Sequence, residues 1–419
     1  VTGAGLRVLH LGKFYPPASG GMEAHVRTLA QAQAALGAQV EVLCANHSVD
    51  GTGTSHEFHG RSPTREEWDG PVRVVRLGRL ASVARMDVMP ALPLALRRAL
   101  ARGVDVVHLH VPNPSMVLAL DAVPRLPAVV VTHQSDIIRQ RVAGALFRPF
   151  EWLLYARAAR LLATSDAYVR GSSLLSTFKE KVRVLPLGIE LDSYLRPSSE
   201  TSVEAREAQA RWTAEAAGGP LWLMVGRLVY YKGLFTALEA LVHAPGRLVV
   251  VGEGPLAAEG RERARALGIA DRVTWAGYLS PEALAGAYRA ATALWFPSNA
   301  RSEAYGLSQV EALASGLPVL NTAVPDSGVA WVSLHERTGL TVPVGDARAL
   351  AAAARRLVEE PGLRERLSRG AKERAQAEFA HDVMAARSLD LYAEALGRSP
   401  VVEAPTPASA SVRHVAGRG

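Results

Sequence analysis

The strongest constraint on this chain is a rhythm that starts twice. From the amino end, the runs RVLHLGKF (7–14), QVEVLCA (39–45), VRVVRLG (72–78), VDVVHLH (104–110), AVVVTH (128–133), RLLATS (160–165) and VRVLPL (182–187) alternate with helix-period segments. Continuous apolar runs of this length are strands buried on both faces, and helices between them supply the crossovers a parallel sheet requires. After the polar stretch SSETSVEAREAQARWTAEAAGG the rhythm resumes with LWLMVG (221–226), RLVVVG (247–252), RVTWAG (272–277), ALWFPS (293–298) and PVLNT (318–322). The pattern predicts an α/β protein of two doubly wound parallel-sheet domains, in keeping with 419 residues, too many for one ordinary core.

The restart and the Pro and Gly of PLGIELDSYLRP place the boundary near 188–196. The expected parts are a first domain over 1–190 and a second over 191–378, ending in helices at 346–359 and 361–378. A third helix, at 381–396 within the segment 379–397, is expected to pack back on the first domain. The tail 398–419, rich in Pro, Ala and Ser, promises no core and is read as disordered. The stretch 46–70 is read as a loop near the binding cleft, too polar for a regular element.

A single cysteine, Cys44, excludes an intrachain disulfide, and no Cys/His cluster suggests a structural zinc site. Together with the absence of any run approaching the ~18 apolar residues of a membrane span, this points to the cytoplasm. The opening VTGAGLRVLHLGKF reads as a first strand and not as a signal peptide. Residues 1–190 hold 22 Lys and Arg against 15 Asp and Glu, whereas residues 191–419 hold 25 of each. The net +7 therefore sits in the first half, which suits an anionic partner such as a phospholipid surface or a diphosphate substrate. Scattered surface arginines explain it equally well. Nucleic acid is not expected, because no helix-turn-helix or aromatic stacking platform accompanies the charge.

Two facing sheets bind ligands at the carboxyl ends of their strands, and the notable residues fall there. In KFYPPASGGMEAHV, Gly20 and Gly21 precede a helix and would let backbone amides approach a phosphate, although a plain strand-to-helix turn also accounts for them. In LWLMVGRLVYYKG, Arg227 and Lys232 together could neutralise a leaving diphosphate. His133 in VVVTHQSD stands at a strand end, placed to touch a bound ligand, and Asp136 could serve as an N-cap for the next element. His108 and His110 share one strand face and imitate a metal pair; without a third ligand, one is expected to pack and the other to reach the cleft rim. Gly252, Gly254 and Ala257 formally match a dinucleotide fingerprint, but Asp271 precedes the next strand where a ribose-binding acid should come after it. No Walker sequence, G-x-S-x-G elbow or Asp-x-Asp pair is present. Finally, RSEAYGLSQVEALASGLPV sets Glu303 and Glu311 on either side of a helix start near Gly306 that otherwise reads as core.

These motifs together resemble the retaining glycosyltransferases of sequence family 4, whose GT-B fold pairs two Rossmann-like domains, over residues 1–397. The resemblance implies that Glu303 contacts the hydroxyls of a donor sugar and Glu311 those of the nucleotide ribose. It implies that Arg227 and Lys232 bind the diphosphate, that Gly20 and Gly21 admit it, and that the amides of Tyr305, Gly306 and Leu307 face it. By the same resemblance His133 contacts the sugar and Tyr278 lies near the base through its backbone. Eight helical residues rise ~12 Å, comparable to the reach from sugar to ribose. Also implied are a nucleotide-sugar donor as substrate, no cofactor, no metal and retention of configuration. The stretch HQSDIIRQ is similar to bacterial enzymes that use mannose or rhamnose to build polysaccharide, which implies a glycan or lipid-linked acceptor. Transfer to a small soluble acceptor, or a non-catalytic sugar-nucleotide sensor, are the other readings. The basic, aromatic segment 137–162, with Arg139, Arg141, Arg148, Arg157 and Arg160, suits reversible contact with an anionic membrane surface, or else a core helix with snorkelling arginines.

Overall fold

The computed structural model describes residues 5–18, 20–47, 61–83, 86–134, 141–196 and 200–398. Asp136, Arg139, the segment 48–60 and the tail from 399 onward lie outside them. The first unit holds β1 (Arg7–Leu11), β2 (Gln39–Ala45), β3 (Arg65–Asp69), β4 (Val72–Leu77), β5 (Ala81–Val83), β6 (Met86–Val88), β7 (Val106–Val111), β8 (Ala128–His133), β9 (Arg160–Ala163) and β10 (Val182–Val184). Eight of them form one sheet in the order β10-β9-β8-β7-β1-β2-β4-β3, and β5 pairs with β6 alone. The second unit holds β11 (Leu221–Val225), β12 (Arg247–Val251), β13 (Val273–Gly277), β14 (Ala293–Phe296), β15 (Val319–Thr322) and β16 (Gly339–Val342), in the order β13-β12-β11-β14-β15-β16. All ladders of the two large sheets are parallel except β3 against β4.

Strand β3 corrects the reading of 46–70 as loop throughout. Its sequence, REEWD, has no apolar alternation, yet it forms the sheet edge because β4 answers its charges: Glu66 pairs with Arg73 at 2.6 Å and Glu67 with Arg76 at 2.7 Å. Edge strands with charged side chains are a common way to end a sheet. The short strands β5, β6 and β16 also lack a sequence signal.

Each large sheet buries both faces, so each has two hydrophobic layers. Leu9, Leu109 and Val131 belong to one layer of the first sheet, and Val8, Val42 and Val130 to the other. The helix His381–Ala395 covers the second of these layers with Met384, Ala385, Leu389 and Tyr392. Burying an apolar side chain of that size contributes roughly 1.5–3 kcal/mol, so this one helix face is a sizeable tie. The chain passes between the units at two adjacent points, marked by the bridge between Ile189 and Ala380.

In the first sheet the strand order reverses at β1, flanked by β7 and β2, and in the second at β11, flanked by β14 and β12. Crevices open outside the carboxyl ends at such reversals, which fixes where a ligand can lodge.

Candidate active site

After β11 the chain turns through loop 226–233 and after β14 through loop 297–306, side by side. Gly233 allows that proximity: it has a left-handed φ of 75°, and a Cβ there would run into the Pro297 carbonyl. Asn299 N donates to Tyr231 O at 2.9 Å, and the hydroxyls of Tyr230 and Ser302 meet at 2.8 Å. Gly252 and Gly254 serve a similar purpose, since side chains there would strike the carbonyls of Gly226 and Leu228. Close backbone packing thus gives the apparent dinucleotide glycines a structural cause.

These loops bring Lys232 Nζ to 2.6 Å from Glu303 Oε2, with the side chains only 15% and 9% exposed. Lys232 Nζ also stands 5.0 Å from the centre of the Phe296 ring. A desolvated pair of this kind is held by Coulomb attraction at close range, since Glu303 Oε2 has no hydrogen-bond partner of good geometry among the described residues, and removing one partner strands the other. Arg227 differs. It is exposed, and its guanidinium has no ion pair or hydrogen bond among the described residues.

The helix Leu307–Ala314 starts at Gly306, whose φ of 86° and contact with the Phe296 ring leave no room for a side chain. The amides of Tyr305, Gly306 and Leu307 have no protein acceptor among the described residues, as expected for a helix amino end, where they can receive an anion. The Tyr305 side chain points away, packing on Trp331 and Phe379 and donating its hydroxyl to Leu187 O at 3.2 Å. Only the backbone of Tyr305 is therefore available to a ligand. Glu303 lies before the helix and Glu311 in its second turn, so only half of the span between them is helical, a correction to an all-helical rise. Gln309 and Asn321 fasten this start: Asn321 Nδ2 donates to Gln309 Oε1 at 3.1 Å, and Gln309 Nε2 to Tyr305 O at 2.9 Å.

Glu311 Oε2 accepts a hydrogen bond from the Tyr288 hydroxyl at 2.7 Å. Burial pushes the Glu311 carboxyl above its ordinary value, opposed by that hydrogen bond and by the positive charge of Lys232. Neither Tyr288, 23 positions upstream, nor Asn321 carries any sequence signal linking it to the glutamates.

From the first unit, the Gly20–Gly21 turn faces this helix start: a Cβ on Gly21 would stand 3.5 Å from Leu307 Cδ1. Glu23, unremarked in the sequence, folds back against Gly20, and burial raises its carboxyl pKa. Its place three residues past the glycine is the one signal that could have marked it. His133 is buried at the end of β8, with Nδ1 2.7 Å from the Tyr155 hydroxyl. Tyr278, just after β13, is 79% exposed. The units also touch through Arg301, whose guanidinium carbon lies 4.2 Å from the Tyr168 ring centre and which donates to Tyr168 O at 3.1 Å. His110 does not reach the cleft rim: both His108 and His110 are fully buried, because His10 of β1 packs against both and the helix Gly21–Ala35 covers them.

The helix Arg141–Arg157 exposes Phe150, Trp152 and Leu153. Several arginines near it are spent on structure. Arg157 donates to Leu120 O, Asp121 O and Val123 O, Arg160 pairs with Glu394 at 3.2 Å, and Arg148 donates to Ser173 Oγ at 2.8 Å. Among the described residues no helix is long and apolar enough to cross a membrane.

Comparison with known proteins matches residues 206–374 to the family described as glycosyl transferases group 1, and residues 20–188 to the glycosyl transferase 4-like domain. D-rhamnosyltransferase WbpZ of Pseudomonas aeruginosa is 35% identical over 282 residues, 67% of this chain and 71% of that protein. O-antigen chain mannosyltransferase C of Escherichia coli is 28% identical over 391 residues, 92% of this chain and 98% of that protein. Among solved structures, sucrose-phosphate synthase from Thermosynechococcus elongatus superposes with a TM-score of 0.72 at 24% identity, covering 94% of this chain and 99% of that one. Anabaena HepE in complex with UDP-glucose gives 0.68 at 16% identity, with the same coverage. The two parallel-sheet units are thus those of the GT-B fold.

Proposed function

Given that the chain belongs to the glycosyl transferases of group 1, we propose that it moves a hexose from a nucleotide-diphosphate sugar to a hydroxyl of a glycan or lipid-linked acceptor, with retention of anomeric configuration. The observation that carries this is the pairing of Lys232 with Glu303 at the reversal of the second sheet, beside three unused amides and the Gly20–Gly21 turn. In this reading the diphosphate takes Lys232, Arg227 and the amides of Tyr305, Gly306 and Leu307. Glu303 is then released to the hydroxyls of the sugar. Glu311 holds the ribose, the backbone near Tyr278 borders the base, and His133 lines the sugar from the opposite unit.

The acceptor hydroxyl attacks the anomeric carbon from the face the diphosphate leaves. The new C–O bond forms as the bond to the phosphate oxygen breaks, and that oxygen takes the acceptor proton. Lys232 and Arg227 stabilise the charge that develops on the departing nucleotide, which dispenses with a divalent metal and any cofactor. The WbpZ and mannosyltransferase relatives favour rhamnose or mannose as the sugar, and a polysaccharide as the product. The exposed Phe150, Trp152 and Leu153 suit a cytoplasmic enzyme touching an anionic membrane reversibly, where a lipid-linked acceptor would lie. A panel of UDP, GDP, ADP and dTDP sugars with lipid-linked and free glycans tests the reading. Product with the donor's anomeric configuration, at a rate unchanged by added magnesium or manganese, is the expected result. A trapped glycosyl-enzyme adduct or strict metal dependence would overturn it.

A further inference from the structure

Four histidines meet in the core of the first unit, beneath the cleft and outside the proposed transfer chemistry. His10 comes from β1, His108 and His110 from β7, and His25 from the helix Gly21–Ala35, all of them buried. Ring centres lie 4.3 Å apart for His108 and His110, 5.0 Å for His10 and His108, and 5.5 Å for His25 and His110. His10, His108 and His110 each turn one ring nitrogen to within 4.8 Å of the others. Close-packed chains leave few buried polar atoms unanswered, and each exception calls for a cause such as a water or an ion. Here there are three: both ring nitrogens of His25, and Nδ1 of His110, have no partner among the described residues.

We propose that His10, His108 and His110, with His25 beside them, form a binding site for a single transition-metal ion such as zinc that fastens the core of the first unit.

The surrounding hydrogen bonds prepare the site. Gln33 Nε2 donates to Ser388 Oγ at 2.7 Å and to the Tyr392 hydroxyl at 2.9 Å, so Gln33 Oε1 is left to accept from His10 Nε2 at 2.8 Å. The lone pair of His10 is therefore on Nδ1, 3.0 Å from His110 Nε2, which carries the hydrogen of that bond; for both nitrogens to ligate, His110 takes its proton on the unpartnered Nδ1 instead. Metal-bound histidines are oriented by such an acceptor on the second nitrogen. His108 is bracketed by Tyr392 and Thr132, at 2.5 and 2.6 Å, and gives up one of those hydroxyls to bind the ion. Tetrahedral zinc, with Zn–N bonds of about 2.0–2.1 Å, holds its nitrogens about 3.4 Å apart, so ligation opens the His10–His110 pair slightly and draws His108 in. Burial holds all four rings neutral, the state in which imidazole ligates. Three imidazoles with no carboxylate or thiolate among the ligand set favour zinc, cobalt, nickel or copper over magnesium or calcium.

Through Gln33, Ser388 and Tyr392 the site also reaches the helix His381–Ala395, so the ion would steady that helix where it returns to the first unit. The site is independent of the transfer proposed above and takes no part in it.

Cobalt(II) is the probe. The full chain is stripped with chelator, dialysed, loaded with cobalt and freed of excess. The expected result is one ion per chain by elemental analysis, with the visible absorption of tetrahedral cobalt, lost on adding zinc. H110A and H10Q should each take up less than a tenth of that amount, and zinc should raise the melting temperature of wild type only. A wild-type chain that is folded yet holds under a tenth of an equivalent overturns the proposal, as does unchanged uptake in both variants. H25F separates a variant that fails to fold from one that fails to bind: an apolar ring keeps the packing, so a folded H25F chain with reduced affinity supports the site. Full uptake by a folded double variant H10Q/H110A refutes it.

Discussion

The two sheets share a topology and end their central strands on opposite chemistry. After β11 and β14 the second sheet presents a cation–anion pair, Lys232 and Glu303, 2.6 Å apart in a mostly dry place. At β1 and β7 the first sheet delivers three imidazoles, with His25 from the helix Gly21–Ala35 as a fourth, kept neutral by burial, which lowers His10 to about 4 and His25 to about 3. A sheet can carry polar groups at its reversal point either by pairing charges or by discharging them. The first solution leaves ions that a charged ligand can exchange for its own, whereas the second leaves neutral groups suited to packing and hydrogen bonding. The surplus arginines of residues 1–190 do not gather at the cleft to redress the difference. Arg79 pairs with Asp87 in the core at 3.0 Å, Arg102 with Glu41 at 2.5 Å, and Arg76 with Glu67.

If the ionic side does the chemistry, the largest effect should come from breaking its pair. Glu303→Gln is expected to lower kcat by about 10²–10³-fold, the size typical of removing one transition-state contact, while free nucleotide diphosphate binds nearly as before. Lys232→Ala should lower kcat similarly and weaken nucleotide binding too, because it removes the cation and strands Glu303. Steady-state kinetics with calorimetry of nucleotide binding separate the two. Equal loss of nucleotide binding in both variants would refute the assignment of Glu303 to the sugar.

The neutral side should instead show itself in acid. For His10 in the metal-free chain the folded pKa, about 4, lies below the ordinary 6.5, so between those values the unfolded chain binds a proton that the folded chain refuses. Stability from this source is complete above pH 6.5 and falls as pH drops toward 4, by on the order of 1 kcal/mol per pH unit for each such histidine. Hydrogen exchange, corrected for intrinsic rates, should therefore show β1 and β7 losing protection between about pH 7 and 5 while β11 and β14 keep theirs. Parallel loss in both sheets would erase the contrast.

What the residues alone revealed divides along the same line. Twelve strands were legible because continuous β-branched runs have few other uses, and the second sheet's cations were legible because they follow a strand end in sequence. The strand β3 was not, since its stability comes from Arg73 and Arg76 on its neighbour and not from its own residues. Nor was the histidine cluster: His10 sits in RVLHLG as one residue of a core strand, and only the adjacency of β1 to β7 brings it to His110. Tyr288 belongs to this class as well, since it joins Glu311 only through packing of the helices Pro281–Ala290 and Leu307–Ala314.

Tyr288 allows a finer test of the charged side. Glu311→Ala should weaken free nucleotide by about 10-fold and raise the donor KM, with a smaller change in kcat, since a ribose contact acts alike in ground and transition states. Tyr288→Phe should cost about 5-fold, the ~1 kcal/mol of one hydrogen bond. Its stronger signature is in pH. Burial already places the Glu311 carboxyl above its ordinary value, so nucleotide affinity should fall on acidification with a midpoint above 4.5. The Tyr288 bond lowers that value, so its loss should move the midpoint further up. A midpoint that stays in place would mean that Glu311 does not hold the nucleotide.

The smallest expected effect concerns the point where the two kinds of sheet end meet. Arg301, from the loop that carries Glu303, lies over the Tyr168 ring at 4.2 Å and binds the Tyr168 carbonyl at 3.1 Å. The contact links a charged residue of the second unit to an aromatic ring of the first, and should be worth about 0.5–2 kcal/mol because the ring is buried. Arg301→Ala and Tyr168→Leu should each destabilise the chain slightly and raise the donor KM by a few fold, while Tyr168→Phe, which keeps the ring face, should change little. A double-mutant cycle on Arg301→Ala and Tyr168→Leu isolates the pair, with an expected coupling of about 1 kcal/mol. Performing the cycle with and without nucleotide adds direction. Coupling that grows with ligand means the charged and neutral halves draw together when the diphosphate takes Lys232 from Glu303. Coupling that vanishes in both states would mean the halves do not lean on each other here, and the loop bearing Glu303 is positioned by its own unit alone, through the bonds that Ser302 and Asn299 make to loop 226–233.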